Sequence, residues 1–485
     1  MRKYLLAGAA MIGSIGVASA QAPAPTTTLP PAPGSPGIPT QPSVYLGGNN
    51  ILNEDGTGFG GSSSAPTPGS FVVHLNMRVW GYLGVGGGTG YVSPGGEAGT
   101  FKLQPAQWIG YFRMYPGVDA MATNGLRYGA IVEIRQNFIG QGYGTSGTGF
   151  NGAGGNYSSS PSGASSASTL YTRRQAVYVG SNQIGIFRLG QDDGPFSQFD
   201  NGVTTFQFGT GAWNGDGPDI LPGNAQVTFP WWSGIGAEYT PSKLAYFSPQ
   251  FYGFDLGASF AFNNGPNNAS ACATAAPGCP GLTSTTSTGF GGGDRPINWY
   301  EVMGRYQGNF SGFGIYGIFG YSGSGAVSQN GSTDGVANQS FNGFNVFDGG
   351  LVLSYGGFSV GGNALWGSYN NQVQLKPQGA PNAIAWVVGA QYVYGPFTIA
   401  ASYYNYQYQG SDALVGISQR YDDAGAAGVT WAIAPGLSAY VEYLYGQSHQ
   451  GGFNFVTGEA SPLGASNANN NAHQQSIIIG TRVQW

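Results

Sequence analysis

Residues 71–85 read FVVHLNMRVWGYLGV, and this stretch decides the fold. Phe71, Val73, Leu75, Met77, Val79, Leu83 and Val85 share one parity. His74, Asn76, Arg78, Trp80 and Tyr82 share the other. Successive side chains of a strand point to opposite faces, so a period of two predicts a strand with one apolar and one polar face. In a soluble sandwich the apolar face meets a second sheet. In a membrane barrel it meets lipid, and the polar face lines the interior.

The pattern recurs downstream. Residues 106–115 set Trp108, Phe112 and Met114 against Gln107, Tyr111 and Arg113. Residues 126–138 set Leu126, Tyr128, Ala130, Val132 and Ile134 against Arg127, Glu133, Arg135 and Asn137. The four polar residues share one parity, and ionisable groups within a membrane span face the interior or water. Further strands are expected at 171–181, 184–190, 243–249, 253–263, 296–307, 313–322, 343–355, 358–370, 382–394, 397–409, 419–431, 436–447 and 474–485. With the first three they make sixteen, and 231–240 is an extra candidate that would upset the count. Most are near the 9–11 residues a tilted membrane strand needs. Short connections, such as 356–357 and 395–396, alternate with long ones, such as 139–170 and 191–242. Short turns on one side and long loops on the other predict an all-β, transmembrane antiparallel barrel. An even count puts both ends of the barrel on the short-turn, periplasmic side.

Composition excludes the competitors. Of 485 residues, 87 are Gly, 14% are aromatic and only 8% are charged. Soluble domains carry about 25% charge, and disordered chains are poor in aromatics. Beyond the N-terminus no apolar run reaches the roughly 20 residues of a membrane helix. A net charge of −5 argues against nucleic-acid binding, which needs a basic surface. Cys272 and Cys279 are the only cysteines and have no second pair for a metal site. In an exported chain they are expected to close a small disulfide loop, with two idle thiols as the other reading.

Residues 1–20, MRKYLLAGAAMIGSIGVASA, have a basic start, an apolar stretch and a small-x-small end. They read as a cleaved signal peptide. Its removal leaves 14 basic against 21 acidic residues, a balance of −7 that favours weak cation preference unless lumen arginines reverse it. Residues 21–69 form a Pro/Gly/Ser-rich lead-in, read as a spacer or, more sharply, a tether to the wall or a partner, and 70–485 the barrel.

Three segments carry a family resemblance. RQAVYVG (174–180) with GIFRLGQ (185–191) is one, KLAYFSPQFYGF (243–254) the second, and IIIGTRVQW (477–485) the third. The chain resembles the general porins of Gram-negative bacteria, alphaproteobacterial type, over roughly residues 70–485. The resemblance implies a sixteen-stranded homotrimer in outer-membrane lipid that passes ions and small hydrophilic solutes by passive diffusion. It also implies that 191–242 folds inward as a constriction loop. It implies too that the barrel-assembly machinery reads the C-terminal aromatic, here Trp485 where most relatives end in Phe.

The loop 191–242 holds Asp192, Asp193, Asp200, Asp216, Asp219 and Glu238 and no Lys or Arg. Arg78, Arg113, Arg127, Arg135, Arg174 and Arg188 are candidates for a basic wall opposite it. Carboxylates facing guanidinium groups would set a transverse field that governs ion preference. The competing reading is that the aspartates cap turns. Glu301, Arg305, Ser438, Tyr440 and Glu442 are expected on the wall away from the narrowing, and Asp422–Asp423 at a solvated rim. Tyr404, Tyr406 and Tyr408 share parity and suit either a sugar-selective slide or the lipid interface. A surface adhesin is the alternative outside the channel class. No nucleophile–histidine pair is evident, so no catalytic residues, cofactor or metal are expected.

Overall fold

The computed structural model describes residues 66–93, 101–102, 105–137, 170–181, 183–200, 210–221, 225–232, 242–263, 296–328, 332–333, 336–337, 340–372, 374–461 and 469–484. The signal peptide, most of the lead-in, Cys272, Cys279 and Trp485 lie outside them.

Sixteen antiparallel strands close into one barrel. They are β1 (Ser70–Gly88), β2 (Ala106–Met121), β3 (Arg127–Asn137), β4 (Tyr171–Ser181), β5 (Gly185–Gln191), β6 (Ser242–Phe247), β7 (Phe254–Asn263) and β8 (Ile297–Phe310). The second half is β9 (Phe313–Gly325), β10 (Asn345–Tyr355), β11 (Phe358–Ser368), β12 (Ala383–Tyr394), β13 (Phe397–Tyr408), β14 (Arg420–Ala434), β15 (Leu437–His449) and β16 (Asn471–Gln484). Each expected range meets one strand. Trp231 and Trp232, the described start of the extra candidate, are not in a strand. Each strand pairs with its sequence neighbours, and β1 pairs with β16 from Arg78↔Gln484 to Gly88↔Gln474, so no edge is left.

Alternation becomes sidedness. On β1, Phe71 is 71% exposed and Val73 64%, whereas Arg78, Trp80 and Tyr82 are buried. The exposed parity faces out and the buried parity faces the bore. Outer aromatics meet across strands, for example Phe347 stacked on Trp366 at 5.6 Å and Phe397 on Trp431 at 6.0 Å. Such rings suit the interfacial girdles of an outer-membrane barrel.

β2 runs further than its sequence pattern suggests, through Pro116 to Met121. Proline cannot donate to a ladder. Here Pro116 stays in register with Leu75 of β1, while pairing to β3 lapses at Tyr115 and Pro116 and resumes at Gly117. At the β10–β11 turn, Gly356 and Gly357 take φ of 55° and 83°. Two consecutive positive φ values close a two-residue hairpin whose twist matches the strands, which favours glycine at both positions.

The connection after β5 contributes Phe196, Phe199, Trp213, Phe229, Trp231 and Trp232 to one apolar cluster. Wall residues Trp299, Phe247, Tyr404 and Leu444 complete it.

Candidate functional site

The period-two pattern decides which charges face the bore, and register decides which of them meet. Arg78, Arg113 and Arg135 are direct Cα partners on β1, β2 and β3. Arg174 and Arg188 follow on β4 and β5, and all five, with Arg127, are buried. Two further cations join this side, Lys243 on β6 and Arg482 on β16. The seven strands β16 to β6 thus present eight buried cations and two buried carboxylates, Asp119 and Glu133, among the described residues. The nine strands β7 to β15 present five buried carboxylates, Asp255, Glu301, Asp348, Asp422 and Glu442, with Arg305 and Arg420. The bore is divided into a basic and an acidic sector.

The loop carboxylates do not form one free acidic face. Arg188 Nη1 lies 3.0 Å from Asp192 Oδ2, and Arg174 Nη2 lies 2.5 Å from Asp193 Oδ2. Arg174 also pairs with Glu133 at 3.2 Å, and Glu133 in turn with Arg135. Arg113 Nη2 donates to both Asp216 oxygens, at 2.9 and 2.7 Å. Tyr111 donates to Asp219. Asp200 accepts through its backbone oxygen from Tyr316, at 3.2 Å. Arg127 is buried and forms no ion pair among the described residues. Arg78 instead stacks its guanidinium 4.1 Å over Trp80.

The loop is tied at further points. Tyr82 donates to Asp216 O at 2.6 Å, and Tyr91 to Ile220 O at 3.0 Å. Burial pushes the Tyr91 phenol up to about 12. Glu442 on β15 accepts from Thr210 N at 2.7 Å and from its hydroxyl. Asp422 on β14 accepts from Thr228 N and from Tyr408, both at 2.8 Å. Asp422 is therefore an interior anchor and not a solvated rim residue, whereas Asp423 faces outward to Tyr403 at 2.7 Å.

Tyr404, Tyr406 and Tyr408 also differ from expectation. All three face the bore and are almost fully buried. Tyr406 stacks 3.9 Å from Tyr408 and 5.7 Å from Tyr369. Their hydroxyls are engaged by Thr228, Asn371 and Asp422. Loop and wall cover the stack, so it is neither a lipid-facing girdle nor a surface open to sugars. Lys243, Arg482, Asp119 and Asp348 were findable by parity. Lys243, Asp348 and Arg482 are each the single Asp, Glu, Lys or Arg of their strand, and Asp119 lies beyond Pro116, past the expected end of its strand, which made the signal weak.

A closed antiparallel barrel with an apolar exterior and a bore lined by charge and amide groups defines the class: an outer-membrane channel for passive diffusion of solutes. The family of Gram-negative porins matches residues 82–479, and the chain belongs to it. Family and fold both point to a channel and away from an enzyme. The chain is similar in fold to the anion-selective porin from Comamonas acidovorans, at 15% identity over 86% of this chain and 100% of that chain, with TM-score 0.48. It is similar to OmpT of Vibrio cholerae in its trimer form, at 14% identity over 86% and 100%, with TM-score 0.48. A mutant of the Rh. blastica porin matches at 12% identity over 85% and 100%, with TM-score 0.44. No curated protein matches the chain.

Proposed function

We propose that the segment 192–241 narrows this channel and that solutes pass a constriction bounded by the basic sector and the docked loop. The observation that carries the reading is where the loop is tied. It leaves β5 beside Arg188 and Arg174, yet Thr228 bonds to Tyr408 and Asp422 on β13 and β14, eight and nine strands away in a ring of sixteen. A segment anchored to diametrically placed walls spans the bore between them. Asp192, Asp193, Asp216 and Asp219 then serve as clamps on the basic wall, and the field at the constriction comes from the imbalance between sectors. That field is local, since salt screens it over about 8 Å. Excising 212–220 tests this: conductance and the size limit for neutral solutes should both rise, and unchanged values refute the constriction.

The same reading includes a cleaved signal at 1–20, a periplasmic lead-in at 21–69 and no catalytic role. It also includes a homotrimer. Outer ring–ring contacts run from β5 to β14, and none is found on β15–β4 among the described residues. There the outer face is mainly aliphatic, including Val73, Val79, Val177, Ile477 and Ile479. This sector suits a second copy better than a lipid interface.

A further inference from the structure

We infer that residues 370–374, in the long connection between β11 and β12, position the constriction segment through Trp232. The inference rests on the constriction reading and assigns it positioning residues outside the charged walls. Trp232 joins three parts of the molecule. Its indole N–H donates to Gln372 O at 2.6 Å. Its backbone oxygen accepts from Ser197 Oγ at 2.8 Å, on the short helix Pro195–Gln198. Its ring stacks on Phe196 at 5.0 Å and meets Trp299 of β8 edge-on at 5.6 Å. That helix follows directly on Asp192 and Asp193, which Arg188 and Arg174 clamp.

The connection that receives Trp232 is itself braced. Asn370 and Gln374 exchange both backbone hydrogen bonds, at 2.9 and 3.2 Å. Asn371 takes a φ of 46°, a left-handed conformation that asparagine tolerates. Its carbonyl accepts from the Tyr406 hydroxyl at 2.6 Å. Asn370 is buried, and a buried amide is costly unless it is hydrogen-bonded. This one reaches the β13–β14 connection. Its Nδ2 donates to Gly410 O at 3.0 Å and to Asp412 Oδ1 at 3.1 Å, and its Oδ1 accepts from Gly410 N at 3.0 Å. Gln450, also buried, extends the brace to the β15–β16 connection. Its Oε1 accepts from Ser411 N at 3.3 Å and from Arg420 Nε at 2.9 Å, and its Nε2 donates to Gln409 O at 2.7 Å. Gly410 has a φ of 71°, and a Cβ there would lie 2.5 Å from Gln450 Oε1, so glycine permits the close approach.

Three long connections thus form one hydrogen-bonded block, and Trp232 links it to the segment that narrows the bore. The arginine clamps hold that segment on β4 and β5. The block holds it on the side of β11 to β15. A contiguous chain of contacts carries position only if breaking one link changes the far end. Asn370 is the link within the block, and the Trp232 indole N–H is the link out of it.

The test uses the full chain in planar bilayers, with neutral polyethylene glycols of graded size as probes of the narrowing. The variants are Asn370→Ala, Trp232→Phe, which keeps a ring and removes the donor, and their combination. Each single variant should raise the frequency of excursions to higher conductance about fivefold and admit larger polymers. Because the two links lie in series, the double variant should show less than the product of the single effects. Residues that only stabilise the outer connections would lower the urea midpoint and leave conducting channels with parental noise and polymer limit. That result overturns the inference, as does a double variant that equals the product. If Asn370→Ala does not fold, Trp232→Phe decides by the noise and polymer criterion. The 212–220 excision, recorded alongside, separates the two readings. Unchanged conductance there refutes the constriction itself, whereas a rise there with parental behaviour in Asn370→Ala and Trp232→Phe overturns the positioning role alone.

Discussion

Replacing Asp216 by Asn should unlock the loop tip. Asp216 receives two hydrogen bonds from Arg113, whose side chain is 1% exposed, while its own is 15% exposed. Removing one partner of a buried pair typically costs about 3–5 kcal/mol, because the other charge stays desolvated without compensation. At 1.4 kcal/mol per factor of ten, the balance between docked and undocked tip moves by roughly two to three and a half decades. The Tyr82 and Tyr91 hydrogen bonds to the same segment set a limit on that shift, since they persist in the variant. Single-channel recording should show larger mean conductance with open-state noise, and reversal potentials should move toward anions as a carboxylate is lost. Arg113→Gln should move reversal potentials toward cations. The double variant should be less perturbed than the two single effects combined, which is the signature of a direct pair. Parental conductance, noise and reversal potential in Asp216→Asn would refute the clamp.

Other expectations follow from separate parts of the molecule. Tyr91 has its pKa raised to about 12 against an ordinary value of 10.0, so the protonated form is held in the folded state. Its stabilising contribution is complete below pH 10 and is lost as pH rises toward 12. Loop-dependent noise should therefore grow in that window, and Tyr91→Phe should abolish the dependence. Tyr406→Ala should cost about 3–5 kcal/mol of barrel stability, measured by urea titration of heat-modifiable protein. Tyr406→Phe should cost about 1 kcal/mol and leave sugar permeation unchanged, whereas a sugar slide would lose flux. Deleting Trp485 should lower the yield of folded barrel in outer membranes, read on gels as loss of heat-modifiable trimer. An unchanged yield would remove the terminal aromatic from any assembly role.

Strand number and sidedness were legible because lipid imposes a strict rule on every residue of a strand. Phe71, Val73, Leu75, Val79 and Val85 are exposed and Arg78, Trp80 and Tyr82 are buried, and Arg135 also falls on the bore side as parity demands. The rule is silent about strand ends, which is why β2 extends past Pro116, a residue that normally argues for termination. It is also silent about partners. Parity placed Arg113 in the bore, but Asp216 lies 103 positions away, in a segment with no periodicity. The loop's route depends on where Thr210, Thr228 and Trp232 find wall partners. None of those contacts leaves a mark in spacing. The aromatic trio on β13 shows the converse. Its parity was plain, yet alternation alone does not tell a covered interior face from an exterior girdle when both are tyrosine-rich.

Planar-bilayer conductance of the purified chain tests the central claim most directly. Stepwise insertion of ohmic, water-filled channels, in multiples of three, with ion preference that shifts when Arg113 or Asp216 is neutralised, is the result this account predicts. A folded barrel that inserts and conducts nothing would contradict it.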